Sequence, residues 1–295
     1  MLSILLRLWL VAELVAFGLI GRIVLQISWP AALAFALGMI LLIRAPMIGF
    51  TWVMAWRHGS PSTPLGLPRH VSMVLTEYAA FVLDFCLIQP IERLWMGPDR
   101  LRPAASPVLL VHGYMCNRGC WWWLRRRLEA AGYPVATITL ETPWRSIDDF
   151  AEQLHARVQS VCAATGVQTV TLIGHSMGGL VSRAYMACHG AERVAGLITI
   201  ATPHQGSRLA ALGMGHDARQ MRAGSDWIRA LADHRVTVPF VSIRTLQDNF
   251  VLPQELQRHP DAVDEPLPGV GHLAALIHPR TLALVHHHLV QMDPT

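Results

Sequence analysis

The chain has 295 residues, enough for one large domain or two small ones. Hydrophobic residues make up 52% and charged residues only 15%, with a mean hydropathy of +0.35, which excludes a disordered or highly charged protein and argues against a purely soluble one. The net charge of +4 rests on 24 basic residues, all Arg, scattered except for Arg125-Arg126-Arg127; without a basic stripe or nucleic-acid motif, no nucleic-acid partner is expected, and anionic lipid is the better use of the excess if it has a partner at all.

Residues 2–21 are almost entirely apolar, interrupted by Arg7 and Glu13, and residues 31–56 form a second apolar stretch whose only charge is Arg44. About 20 apolar residues cross a bilayer core, so both are long enough to span it. Residues 22–30 would then be the connection of a transmembrane hairpin over residues 1–57. Pro46 should kink or break the second helix. Trp9, Trp29, Trp52 and Trp56 fall where interfacial anchors are expected. Arg7 and Glu13 would have to face a partner helix or snorkel. A cleaved signal peptide is the rival reading of the first stretch, but no small-residue cleavage site follows cleanly.

Residues 57–70 are rich in Pro, Gly and Ser and read as a linker. The run 71–91 is apolar again, with Glu77 and Asp84 seven residues apart on one helical face. This predicts a helix with a narrow polar stripe, lying on the membrane or packed against the next domain, with a third span as the alternative. Linker and helix together occupy residues 58–103.

From residue 104 to residue 295 the composition is that of a soluble α/β domain. Strands are expected at residues 107–111, 135–140, 169–173, 194–200 and 238–243, with a helix over 148–164 capped by Asp148. Alternating strands and helices predict a doubly wound, mostly parallel sheet. Residues 208–235 read as a helical insertion, with Gly213, Gly215 and Gly224 as candidate hinges: a small lid, or an ordinary packed helix. At least one of Trp121, Trp122 and Trp123 should lie near a pocket or lipid, and Arg125–Arg127 should form a solvated face. The five Cys are odd in number and show no zinc spacing, so buried free thiols are expected, with Cys116–Cys120 as the one plausible pair.

Gly174-His175-Ser176-Met177-Gly178 fits G-x-S-x-G between a β run and a helical run. A serine at such a strand-to-helix turn sits in a strained backbone, and side chains two residues away would clash, which suits Gly174 and Gly178. The turn also places the hydroxyl at a helix N-terminus, where developing negative charge is favoured. A serine needs a base, and in this motif's setting the chain order is Ser, then acid, then His. Of fifteen His, His272 lies in the Gly269-Val270-Gly271-His272 loop. His286, His287 and His288 belong to the last helical run and should face outward; His175 should point away from the serine. Asp248 follows a strand by a short loop, ahead of its rivals Asp226, Asp233, Asp261 and Asp264.

These residues resemble the α/β-hydrolases of the bacterial lipase and esterase type. The matching stretches are Leu110-Val111-His112-Gly113-Tyr114, Gly174 to Gly179, Thr202-Pro203-His204-Gln205-Gly206-Ser207, Asp248-Asn249-Phe250-Val251-Leu252-Pro253 and Gly271-His272. The first hundred residues lie outside the resemblance. It implies a Ser176–His272–Asp248 triad, with the N–H groups of Tyr114 and Met177 as oxyanion hole, and cleavage of lipid or acyl esters. The Thr202–Ser207 turn would be mainly structural. No Asp follows His272 as it does in calcium-dependent lipases, so neither metal nor cofactor is expected. The combined expectation is a membrane-anchored ester hydrolase, at the bacterial inner membrane. Arg57 and Arg69 against Arg22 lean toward a cytoplasmic catalytic domain. Acyl transfer or thioester cleavage on the same triad, and an inert scaffold, are the rival readings. Oligomeric state is not readable from the sequence.

Overall fold

The chain opens with apolar helices. In a computed structural model that describes residues 1–60, 64–103 and 106–292, α1 (Leu2–Leu19) runs on through a wide turn to Val24. It packs against α2 (Trp29–Leu42), where Gly21 meets Ala32 so closely that an added Cβ would lie 3.1 Å from the Ala32 Cα. Ala32 and Ala36 are fully buried there, small residues letting two backbones approach. The helix breaks at Ile43 and resumes as α3 (Arg44–His58), with Pro46 in the first turn, where its missing N–H costs little. Arg44 spans the break: it donates to the Ile40 carbonyl at 2.7 Å and pairs with Glu13 of α1 at 2.6 Å. Glu13 thus faces the partner helix, as an acid in an apolar span must.

After residues 61–63, the part of the linker that lies outside the described residues, comes α4 (Leu67–Val82), extended by irregular turns to α5 (Glu92–Trp95). Three helical stretches, Leu2–Val24, Trp29–His58 and Leu67–Trp95, are long and apolar enough to cross a membrane. The polar stripe of the third turns inward: Glu77 is fully buried against the following sheet-bearing region, and Asp84 accepts from Gln89 at 2.9 Å. Trp52 is partly buried and packs against the core of the sheet-bearing region.

The sheet comprises β1 (Val108–Val111), β2 (Val135–Thr137), β3 (Val170–His175), β4 (Val194–Ile200), β5 (Phe240–Thr245) and β6 (Val263–Leu267). Their order is β2-β1-β3-β4-β5-β6 and every pairing is parallel. The direction of winding reverses between β1 and β3, which opens a crevice at the strands' C-terminal ends. Side chains alternate across the sheet: Val108, Leu110, Ile173 and Ile198 enter one core, Leu109, Val111, Leu172 and Leu197 the other. The first core is covered by α6 (Trp122–Ala130) and α11 (Pro279–Met292), the second by α7 (Ile147–Thr165) and α8 (Met177–His189). The expected domain start at residue 104 lies outside the described residues.

Several local expectations need correction. β6 was not expected: its sequence, VDEPL, is polar because it is an edge strand, and Asp264 therefore lies in a strand and pairs with Arg244. The cap of α7 is Ser146, which accepts from Asp149 N at 3.0 Å; Asp148 instead receives the Trp227 and Gln220 side chains at 2.9 and 2.8 Å. Arg125 is buried rather than solvated, bound to Asp99, Glu129 and two backbone carbonyls. His288 is buried and faces Glu265 of β6 at 2.9 Å, whereas His286 and His287 are exposed. All five Cys are free, and Cys116 and Cys120 are buried thiols.

Candidate active site

β3 runs straight into α8, and Ser176 occupies the turn with φ +53° and ψ −125°. A non-glycine residue is rarely held there unless its surroundings enforce it. They do: Ser176 N donates to Ile200 O at 2.9 Å, fastening the turn to the end of β4. A Cβ on Gly178 would sit 2.1 Å from Val111 O, and one on Gly174 would sit 2.5 Å from Gly179 N. Glycine at both positions is thus a packing requirement. Ser176 is half-buried and occupies the N-cap position of α8.

Next to it, β1 ends in His112-Gly113. A Cβ on Gly113 would lie 2.9 Å from the Ser176 Cβ, so this loop passes directly over the serine. His112 secures it. Its Nε2 accepts from Leu140 N at 2.9 Å, which leaves Nδ1 to donate to Gly113 O at 2.9 Å. Burial pulls this imidazole down to about 4, so it stays neutral. Tyr114 follows, and its hydroxyl donates to Met214 O at 2.7 Å and accepts from Met214 N at 3.1 Å.

Asp248 lies three residues beyond the end of β5 and is fully buried. Its Oδ1 accepts from Phe250 N at 2.7 Å and Val251 N at 2.8 Å. Its Oδ2 accepts from the Thr245 hydroxyl and from His272 Nδ1, the latter at 2.9 Å. Burial alone would raise this carboxyl, but His272, Thr245 and the Val251 N–H hold it below its usual range. Burial alone would lower His272; the Asp248 carboxylate, and after it Glu77, hold it above its ordinary value. An ionised Asp248 receiving Nδ1–H leaves Nε2 of His272 as a proton acceptor. Among the described residues no hydrogen bond joins the serine hydroxyl to this imidazole; such bonds commonly tighten only with substrate.

His175 does not point away as expected. It is buried, and its ring lies 4.8 Å from that of His272 and edge-on to Trp121 at 6.3 Å. Its Nε2 donates to the His272 carbonyl at 3.1 Å. Burial drives it down to about 3, so it braces the histidine loop as a neutral ring. Trp121 is the buried member of the tryptophan run; Trp122 and Trp123 are half-buried under Arg126 and Arg127.

The supports of this site were largely missed in the sequence. Ser207, closing the Thr202–Ser207 turn, donates to Phe250 O at 2.7 Å and accepts from Leu252 N at 3.0 Å, so the turn clamps the acid loop. Asn249 accepts from His272 N at 3.2 Å and donates to Thr51 of α3 at 2.8 Å. Gln254 donates to Asp248 O at 2.7 Å and accepts from Ser60 N at 2.6 Å. Glu77 of α4 accepts from Leu273 N at 2.9 Å and Ala274 N at 2.8 Å. Three of the four rival acids are engaged elsewhere, Asp226 with Arg229, Asp261 with Arg235, and Asp264 with Arg244 and Arg258, and Asp233 is exposed just past the last helix of the 208–235 insertion. Within 208–235, α9 (Gly215–Gln220) is anchored by the buried Ala218 and the Gln220–Asp148 bond, and α10 (Asp226–Ala232) by Ile228, Leu231 and the Trp227–Asp148 bond. Leu212 and Met214, before them, are exposed. Among the described residues no group of three metal-binding side chains occurs.

Residues 142–277 match the family described as a PGAP1-like alpha/beta domain. A triacylglycerol lipase of Burkholderia plantarii is 41% identical over 124 residues, 39% of this chain and 34% of that protein. One from Pseudarthrobacter phenanthrenivorans is 41% identical over 121 residues, 38% of this chain and 37% of that protein. The aligned stretches thus span only about a third of the length of these relatives. Among solved structures, the mature form of a Bacillus licheniformis lipase superposes with a TM-score of 0.58 at 19% identity, covering 65% of this chain and 95% of that one. Aspergillus fumigatus lipase B does so with a TM-score of 0.56 at 19% identity, covering 64% and 53%. The parallel sheet and its glycine-flanked serine turn agree with these structures: the sheet-bearing part of this chain has the α/β-hydrolase fold, and its sequence is similar to bacterial triacylglycerol lipases over that part.

Proposed function

We propose that the protein is a membrane-anchored serine hydrolase that cleaves carboxylic esters with lipid or long acyl chains. The observation that carries this reading is the buried Asp248–His272 bond of 2.9 Å, in a loop that lies beside the strained Ser176 turn through His175. Ser176 Oγ attacks the acyl carbonyl while His272 Nε2 takes its proton, and Asp248 stabilises the imidazolium. The oxyanion is met by the N–H groups of Met177, at the start of α8, and Tyr114, after the close-passing Gly113. His272 then returns the proton to the leaving alcohol, and water cleaves the acyl-enzyme by the same route.

The preference for lipid follows from location. Leu8, Trp9, Trp29, Leu42 and Trp56 are exposed apolar residues on α1–α3, a surface that water does not favour and a bilayer does. Leu212 and Met214, held to the oxyanion loop through the Tyr114 hydroxyl, give a second apolar tip near the site. The test is hydrolysis of a p-nitrophenyl ester series, short to long acyl, by detergent-purified wild type and Ser176→Ala. Turnover confined to wild type and rising with chain length supports the reading. Equal turnover in both proteins contradicts it.

A further inference from the structure

Glu77 is a fully buried acid on an apolar helix, and such a group needs a reason to be there. Its carboxylate crosses from α4 to the loop that carries His272, 195 residues on in the chain. Both oxygens are used: Oε1 accepts from Leu273 N at 2.9 Å and Oε2 from Ala274 N at 2.8 Å. An acceptor-only pattern of this kind suits the ionised form. The two N–H groups belong to the residues immediately after His272, where the chain enters a short turn (Ala274–Ile277).

An independent observation comes from the other side of the histidine. A Cβ on Gly271 would lie 2.4 Å from Glu77 Oε2 and 2.7 Å from its Cδ. Gly271 has an ordinary backbone conformation, so the glycine is required by the approach of Glu77 and not by its own φ. The carboxylate therefore grips the loop on both sides of His272. Thr51, through Asn249 to His272 N, ties the same loop to α3.

We propose that Glu77 is a positioning residue for His272, so that the apolar helices are a working part of the active site and not a detachable anchor. The proposal rests on His272 being the base of the serine hydrolase. Glu77 holds the backbone that sets the imidazole against Asp248, and its negative charge favours the imidazolium formed during attack. The ionisable groups facing His272 are Asp248 from the β5 loop, His175 from the end of β3 and Glu77 from α4; His175 is neutral, so the two carboxylates set the local charge.

The test uses the full chain in detergent, with wild type, Ser176→Ala, Glu77→Gln and Glu77→Asp. The readouts are kcat and KM on a p-nitrophenyl ester, the pH dependence of kcat/KM, and the rate of Ser176 labelling by a fluorophosphonate. Glu77→Gln keeps the shape but turns one acceptor into a donor facing a backbone N–H. The expected result is a roughly tenfold to hundredfold fall in kcat and in labelling rate with KM little changed. The acid limb of kcat/KM moves to lower pH, because a negative charge near the imidazole is gone. Glu77→Asp keeps the charge on a shorter arm, so its acid limb stays near that of wild type while kcat remains reduced. A folded Glu77→Gln with wild-type kcat and an unmoved acid limb overturns the proposal. If Glu77→Gln does not fold, wild-type kcat in Glu77→Asp overturns it equally. Folded wild type with neither turnover nor labelling overturns the hydrolase reading itself, and this proposal with it.

Discussion

Replacing Asp248 by Asn changes one atom at a fully buried carboxylate that four donors engage. Oδ1 of Asp248 takes two backbone N–H groups, at 2.7 and 2.8 Å, and Oδ2 takes His272 Nδ1 at 2.9 Å. In Asp248→Asn the amide must turn one way. With its NH2 at the Oδ1 position it would face two N–H donors, each at a cost of about 1–3 kcal/mol. With its NH2 at the Oδ2 position it faces only His272 and the Thr245 hydroxyl, which can rotate to accept. The second arrangement wins, and the amide then donates to Nδ1. His272 is forced to carry its proton on Nε2 and cannot accept one from Ser176. In serine-protease triads the same inversion lowers kcat by about 10⁴ at neutral pH, equivalent to about 5.4 kcal/mol of transition-state stabilisation. The expected result for Asp248→Asn, assayed on a p-nitrophenyl ester at pH 7, is a kcat loss on the order of 10³–10⁴ with the fold retained by circular dichroism. A folded variant keeping more than about a tenth of wild-type kcat would mean that His272 does not depend on Asp248 for its tautomer.

Other consequences can be tested alongside it. Because His272 is held above its ordinary value and must be neutral to act, kcat/KM should fall as pH drops through a value above about 6.5; a midpoint below that value would contradict the geometry. The same pair also contributes to stability: the raised His272 loses its contribution as pH rises through its folded pKa, and the lowered Asp248 loses its own as pH falls through its folded pKa. Gly178→Ala drives a methyl into Val111 O and should destabilise by about 1–3 kcal/mol or more, measured as a drop of several degrees in Tm. Trp121→Ala removes a fully buried ring from under His175 and should cost about 3–5 kcal/mol in denaturant unfolding, with slower fluorophosphonate labelling. A Leu212→Ser/Met214→Ser double variant should lose activity on lipid vesicles while keeping turnover of a short soluble ester; equal loss on both would show that the tip is structural rather than lipid-seeking.

The local chemistry of the site was legible in the sequence to the extent that it is carried by nearest neighbours. G-x-S-x-G states its own backbone requirement, and the distances from the Gly174 and Gly178 positions to Gly179 N and Val111 O are the physical content of that spacing. Buried parallel strands announce themselves as short apolar runs, whereas β6 did not, because an edge strand accommodates Asp264 and Glu265, whose charges are met by Arg244 and His288. What sequence reasoning could not reach is what depends on distant elements. His175 reads as a strand residue facing away, yet the loop that folds over it brings His272 O to its Nε2. Arg125 reads as one of three solvated arginines, yet Asp99, 26 residues earlier, draws it inward. Glu77 reads as part of a polar stripe; its partners lie almost 200 residues away, and the only local signal was the rarity of an acid in so apolar a helix.

The proposed chemistry rests on one assignment: Ser176, activated by His272, is the nucleophile. It is tested most directly by treating the folded full-length protein with a fluorophosphonate and mapping the modified residue by peptide mass spectrometry, in wild type and in His272→Ala. The expected result is a single adduct on Ser176 in wild type and a labelling rate lower by several orders of magnitude in His272→Ala. Absence of an adduct on folded wild type, or an adduct on Ser176 that forms equally fast without His272, would contradict it.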